Sequence, residues 1–208
     1  MMSIMKKVII VLMSMLLMSP VVMEAKDNSK ALEKRARQTE KNFKKEGWKL
    51  FGSSYMLRDV LVKHYETLEG LGSGATELVG TATTTETKGY NLVIRAAETN
   101  AAVSYSGRCR EVVGKTVSQM ELTQREKDDF LATYETKVQA EIQGELQQSF
   151  ILVRESGKNQ KDVQVFYVVD DAAAERARLR ALEIATRGMK LAQNLREDLN
   201  QAAKKSIQ

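Results

Sequence analysis

Apolar positions recur along this chain with helical and strand periods, and each pattern predicts an element. Leu57, Leu61, His64 and Leu68 fall at i, i+4, i+7 and i+11, one face of a helix that Ser53 or Ser54 can cap and that runs to about Glu69. Leu78 to Thr85 is rich in β-branched residues and predicts a strand. Lys88-Gly89 breaks that pattern, after which Leu92, Ala96, Val103, Cys109, Val113 and Val117 recur at helical spacing. The small residues Ala96, Ala97, Ala101 and Ala102 let this central helix lie close against a sheet.

Thr123 and Glu126 form a capping box for the next helix, in which Leu131, Tyr134, Val138 and Ile142 mark the buried face to about Gln147. Phe150 to Val153 is a short apolar run. Val163, Val165, Tyr167 and Val169 alternate with Gln164, Phe166 and Val168. The two runs predict a β-hairpin whose exposed loop is the polar stretch 154–162. Asp170 or Asp171 can cap a closing helix that continues to the C-terminus. On it Ala177, Ala181, Ile184, Gly188, Leu191, Leu195, Leu199 and Ala202 form a near-heptad seam, with Ile184, Leu191 and Leu195 as candidates for self-association into a homo-oligomer.

Two stretches precede this set. Trp48 to Gly52 reads as a short strand after Gly47, while residues 28–46 are polar nearly all round. The expected fold is α+β: a small, mainly antiparallel sheet covered by long helices, with a long C-terminal helix. The expected divisions are a signal peptide over 1–25, a basic helical arm over 26–47, an α+β domain over 48–175 and the C-terminal helix over 176–208.

The signal peptide rests on Lys6 and Lys7 followed by Val8 to Met18, unbroken except for Ser14, then Pro20 and small or weakly polar residues to Ala25. The core is too short to span a bilayer comfortably, and no second apolar run reaches the needed length. The expectation is therefore export to a periplasmic, outer-membrane-associated or secreted location, with no transmembrane span after cleavage. With 43% hydrophobic and 28% charged residues the composition is ordinary for a globular chain. The charge is uneven: residues 26–49 hold nine basic and four acidic side chains. Within them Lys34, Arg35, Arg37, Lys41, Lys44 and Lys45 are candidates for contact with an anionic envelope surface or polymer. Nucleic acid is not expected, because export removes the usual ligand and no base-reading motif follows.

Catalytic signals are sparse. His64 is the single histidine, which disfavours multi-histidine zinc sites and Ser-His-Asp chemistry and predicts a hydrogen-bonded core residue. Cys109 is the single cysteine, so no intramolecular disulfide exists, and its place on an apolar stripe predicts a buried small hydrophobe. The glycine-rich stretch Glu69 to Gly74 precedes a strand and lacks the lysine of a phosphate loop, so it predicts a connector. No catalytic, cofactor or metal residues are assigned. The leading expectation is a non-enzymatic binding or assembly role. The alternatives are a hydrolase of an envelope polymer, which needs groups brought together by the fold, and a chaperone-like periplasmic protein.

Val79-Gly80-Thr81-Ala82, followed by Ala96-Ala97 and Ala101-Ala102 and by returning strands around Val163 to Val169, resembles a family of bacterial envelope lipoproteins of about twenty kilodaltons, and the N-terminal domain of a flagellar assembly protein. The likeness spans roughly residues 75–170. It implies a compact envelope domain and carries over no catalytic residues. The chain lacks the family's lipidated cysteine, so a lipid anchor does not carry over.

Overall fold

One inner strand of this protein's sheet, Gln160–Asp170, is apolar on both of its faces, and the fold follows from covering both. The structure, a computed structural model, describes residues 25–71, 74–85, 89–187, 189 and 193–205. The expected signal peptide thus lies outside the described residues apart from Ala25. In chain order the elements are α1 (Ala25–Lys45), β1 (Lys49–Leu50), α2 (Leu57–Gly70), β2 (Ala75–Thr85), α3 (Tyr90–Ser118), α4 (Gln124–Gln143), β3 (Gln147–Gly157), β4 (Gln160–Asp170), α5 (Asp171–Ala185) and α6 (Gln193–Lys204). The four strands form one antiparallel sheet in the order β1-β3-β4-β2. This is an α+β fold.

On β4, Val163, Val165, Tyr167 and Val169 point into a core shared with α3, α4, α5 and α6. Phe166 points the other way, where Phe150, Leu152 and Trp48 join Leu32, Ala36 and Phe43 of α1 and Leu57, Leu61 and Tyr65 of α2. Phe150 and Phe166 stack with ring centroids 4.2 Å apart, and Phe43 meets Phe166 edge-on at 5.8 Å. The middle of the sheet is therefore buried on both sides, whereas the second face of β2 stays exposed at Val79, Thr81 and Thr83.

The leading basic segment is part of this second layer. Leu32, Ala36 and Phe43 lie within one narrow sector of α1, and all three are buried. Thr39 Oγ1 shares a hydrogen bond with the Tyr65 hydroxyl at 2.9 Å on α2. The expected arm is thus a docked helix; three apolar residues suffice because α2 and the phenylalanine cluster give them a surface to cover.

The central helix α3 buries a different stripe from the one expected. Leu92 is 65% and Val103 44% exposed, and Ala96 is exposed. The buried line is Val93, Ala97, Ala101, Tyr105, Cys109, Val113 and Val117. Each step of four exceeds a 3.6-residue turn by about 40°, so the line winds around the helix. Its start faces the sheet, where Gly80 of β2 meets Ala97. Its end faces α4, which Arg110 reaches through Glu135 at 2.7 Å.

Local signals predicted the helix starts unevenly. The Thr123–Glu126 capping box forms, and Asp170 caps α5 by accepting from the Ala173 N–H at 2.9 Å. Helix α2 instead begins at Leu57, with Met56 as a cap that offers no side-chain hydrogen bond. Helix α4 stops at Gln143, because Gln147 and Gln148 pair with Val168 and Tyr167 of β4. The expected loop 154–162 is mostly strand. Arg154 pairs across the hairpin with Asp162 at 3.1 Å and Lys161 with Glu155 at 3.4 Å. Opposite charges facing each other support the ladder. Only Lys158 and Asn159 turn, the latter with φ 59°.

The closing segment is two helices. Helix α5 ends at Ala185 with Thr186 as its cap, and α6 folds back so that Leu199, Ala202 and Ala203 enter the main core. Arg178 of α5 holds that return. Its Nε donates to the Ala203 carbonyl at 2.6 Å, its second amino group to the Lys204 carbonyl at 3.3 Å, and its first to the Tyr105 hydroxyl. A cation at the end of α6 satisfies carbonyls that no helical N–H can reach.

Candidate functional site

Two features of this fold carry chemistry: a cationic helix face and a cleft beside the single histidine. On α1, Lys34, Arg37, Lys41 and Lys44 are exposed and follow one another at steps of three and four, and exposed Lys45 lies four residues after Lys41, so the five share a face. Lys30 is exposed on the same face. Because the opposite face is locked into the core, these cations point outward together. Lys44 is paired with Glu40 at 2.7 Å, and Arg37 is loosely paired with Glu33 at 3.9 Å. Arg35 departs from the expected set: it is half-buried, with its guanidinium 4.0 Å from the centre of the Tyr65 ring. It serves the packing of α1 on α2.

The expected self-association seam is largely consumed within the chain. Ala177, Ala181, Leu199 and Ala202 are buried in the monomer core, because the break after Ala185 lets α6 return onto α3 and α5. Ile184 is half-buried, and Leu195 is half-buried against that same core. Leu191 lies outside the described residues.

His64 sits on the inward face of α2, fully buried as expected for a hydrogen-bonded core residue. Its partners come from two different strands. Nδ1 lies 2.9 Å from Ser149 Oγ of β3, and Nε2 lies 2.5 Å from Glu77 Oε2 of β2. The ring is held edge-on against Phe150, with centroids 5.2 Å apart. Glu77 pairs in register with Val168 of β4, and Gln147 of β3 pairs with Val168 from its other side. One cross-sheet row thus runs from Glu77 through Val168 to Gln147, two residues before Ser149.

Ser149 reaches the histidine because the ladder is irregular there. Gln148 pairs with Tyr167 and Phe150 with Phe166, leaving Ser149 as the extra residue of a bulge. Such a bulge re-aims a side chain that strict alternation would send to the other face. Ser149 and Phe150 consequently both meet His64, and Ser149 remains exposed. A cleft of about 760 Å³ opens at this point, lined by apolar residues such as Phe51, Val60 and Phe150 and by polar ones such as Lys63, Gln148 and Ser149. Nothing local in the sequence signals this grouping. The three residues are 13 and 85 positions apart, and only strand register joins them.

The other reactive side chains are closed off. Burial pushes the Cys109 thiol up to about 12 despite the opposing pull of Arg178, so it is an inert small hydrophobe. Burial likewise pushes the Tyr105 hydroxyl up to about 12, with Arg178 opposing. Among the described residues, no cluster of three or more His, Cys, Asp or Glu side chains is placed to hold a metal ion, and no helix is long and apolar enough to cross a membrane.

The fold and this geometry define an α+β protein with a cationic face and a histidine cleft. No known protein family matches the chain, and no curated protein does. One solved structure, the hypothetical protein FTT1539c of Francisella tularensis, is similar at a TM-score of 0.28 and 14% identity, over 72% of this chain and 54% of that one. The chain therefore spans about half the length of that protein, and so loose a likeness lends no fold or function.

Proposed function

We propose that this chain is an exported cell-envelope protein that docks on an anionic surface or polymer through the outward face of α1. The observation that carries the reading is the exposed row Lys34, Arg37, Lys41, Lys44 and Lys45, on a helix whose other face is fixed in the core. A fixed helix presents its charges without the ordering cost that a free arm would bear on binding. Export rests on the pattern of residues 1–25, and the envelope setting agrees with the resemblance carried by Val79 to Ala82 and Ala96 to Ala102. Self-association through Ile184, Leu191 and Leu195 has no part in this reading.

The chaperone-like alternative requires a continuous apolar groove. Among the described residues the large exposed apolar side chains, Tyr55, Met56, Val79, Leu92 and Val103, are scattered over one loop, one strand and one helix. No observation favours it.

Co-sedimentation with phosphatidylglycerol vesicles, and separately with a soluble polyanion, tests the docking. Deleting residues 26–46 is the wrong variant, because it would uncover Leu61, Phe150 and Phe166. The triple substitution Lys34→Glu, Arg37→Glu, Lys41→Glu leaves the buried face intact. Binding should weaken on raising salt, since exposed charges are screened over about 8–10 Å, and should vanish in the triple variant. Binding that ignores both salt and the substitutions would sink the proposal.

A further inference from the structure

The chain Ser149–His64–Glu77 plays no part in docking, and its geometry points to an activity. We propose that Ser149 is a nucleophile, His64 its general base and Glu77 the carboxylate that positions the ring, together hydrolysing an ester of a small apolar acyl group. A buried histidine needs two partners merely to satisfy its nitrogens. What exceeds that need is the identity and placement of these two. The partner on Nδ1 is a serine hydroxyl that a β-bulge turns out of the regular ladder, that is exposed, and that borders a cleft of about 760 Å³.

The hydrogen-bond directions follow from the groups. An ionised carboxylate only accepts, so the 2.5 Å contact with Glu77 places the ring proton on Nε2. In the tautomer that carries its single proton on Nε2, Nδ1 is an acceptor, and the Ser149 hydroxyl at 2.9 Å is the group that donates to it. This is the nucleophile–base–orienter order of the serine hydrolases, with the two ring nitrogens exchanged. Val60 and Phe150, which belong to the apolar layer on the histidine's side of the sheet, line the cleft as the contacts offered to an acyl group, and Tyr55, 75% exposed, lines it as well. Lys63 and Gln148, each one residue before a member of the triad, line the same cleft and are N–H donors available to the oxyanion.

In the reaction, Ser149 Oγ bonds to the ester carbonyl carbon as its proton passes to Nδ1. The bond to the alkoxy oxygen then breaks, and that oxygen leaves as the alcohol with the proton from Nδ1. Water next attacks the acyl carbon and gives a proton to Nδ1. The bond to Ser149 breaks, and the serine oxygen recovers that proton. Ester and water become acid and alcohol, with no redox partner required. Throughout, Glu77 accepts from Nε2 and favours the imidazolium formed in each half.

The test is turnover of p-nitrophenyl butyrate by the purified protein, together with labelling by a fluorophosphonate and mapping of the adduct. We expect one adduct, on Ser149, and turnover that falls by about 10³-fold or more in Ser149→Ala, assayed well below a melting temperature that drops modestly because His64 Nδ1 loses its partner. Glu77→Gln should lower kcat by about 10²-fold or more with little change in KM, and should alter the pH profile, as loss of the orienting charge demands. A folded protein that neither labels at Ser149 nor turns over the ester overturns the proposal. So does a Ser149→Ala variant that retains wild-type turnover.

Discussion

Gly80 of β2 lies so close to Ala97 of α3 that a β-carbon at position 80 would fall 1.8 Å from the Ala97 carbonyl oxygen. The same atom would meet the Ala101 methyl at 3.2 Å. A backbone carbonyl cannot swing aside as a side chain does, so Gly80→Ala must push the helix off the sheet. Overpacking of this kind costs about 1–3 kcal/mol and more where backbone must move. We expect a loss at the upper end of that range in urea unfolding, and a change below about 0.5 kcal/mol would contradict the contact.

Arg178 is the bolt on the C-terminal return. In Arg178→Met the Ala203 and Lys204 carbonyls lose a donor and the buried Tyr105 hydroxyl loses its partner. The expected cost is about 2–4 kcal/mol, since buried polar groups are left unsatisfied. Hydrogen exchange should show where it falls: amides of α6 should open first, while those of β4 keep their protection. Uniform loss of protection across the fold would contradict a local bolt.

Helix α1 should behave as core, despite its charge. Phe43→Ala removes a ring that meets Phe166 edge-on, and we expect a loss of about 3–5 kcal/mol. The surface variant Lys41→Glu should stay within about 0.5 kcal/mol of wild type. Equal effects for the two would mean that α1 does not dock.

Alkaline pH should unfold the protein through its buried acids. Cys109, ordinarily near 9.0, and Tyr105, ordinarily near 10.0, are each raised to about 12 in the fold, chiefly by burial. Between about pH 9 and 12 the unfolded chain has released protons that the folded chain still holds. Stability is therefore complete below about pH 9 and is lost as pH rises through 12. Urea midpoints measured across that window should fall, and less steeply in Cys109→Ala. A slope unaltered by that substitution would show that the thiol is not buried as described.

What the sequence determined by itself is local. The Thr123–Glu126 capping box and the Asp170 cap need only neighbouring residues, and each forms. The alternation of Val163 to Val169 marks a strand whatever its neighbours, and Cys109, Val113 and Val117 mark the inward side of the second half of α3. Tertiary structure decided the rest, because each remaining outcome depends on a partner distant in sequence. Leu32, Ala36 and Phe43 are too few to announce a buried face until the Phe150–Phe166 stack supplies one. The heptad spacing from Ala177 to Ala202 suits a partner helix equally well inside or outside the chain; the turn after Ala185 and Arg178 put that partner inside. The meeting of His64, Glu77 and Ser149 is a matter of register and one bulge. A shift of one residue in either strand turns a side chain to the opposite face of the sheet, and no pattern within a single segment encodes that choice.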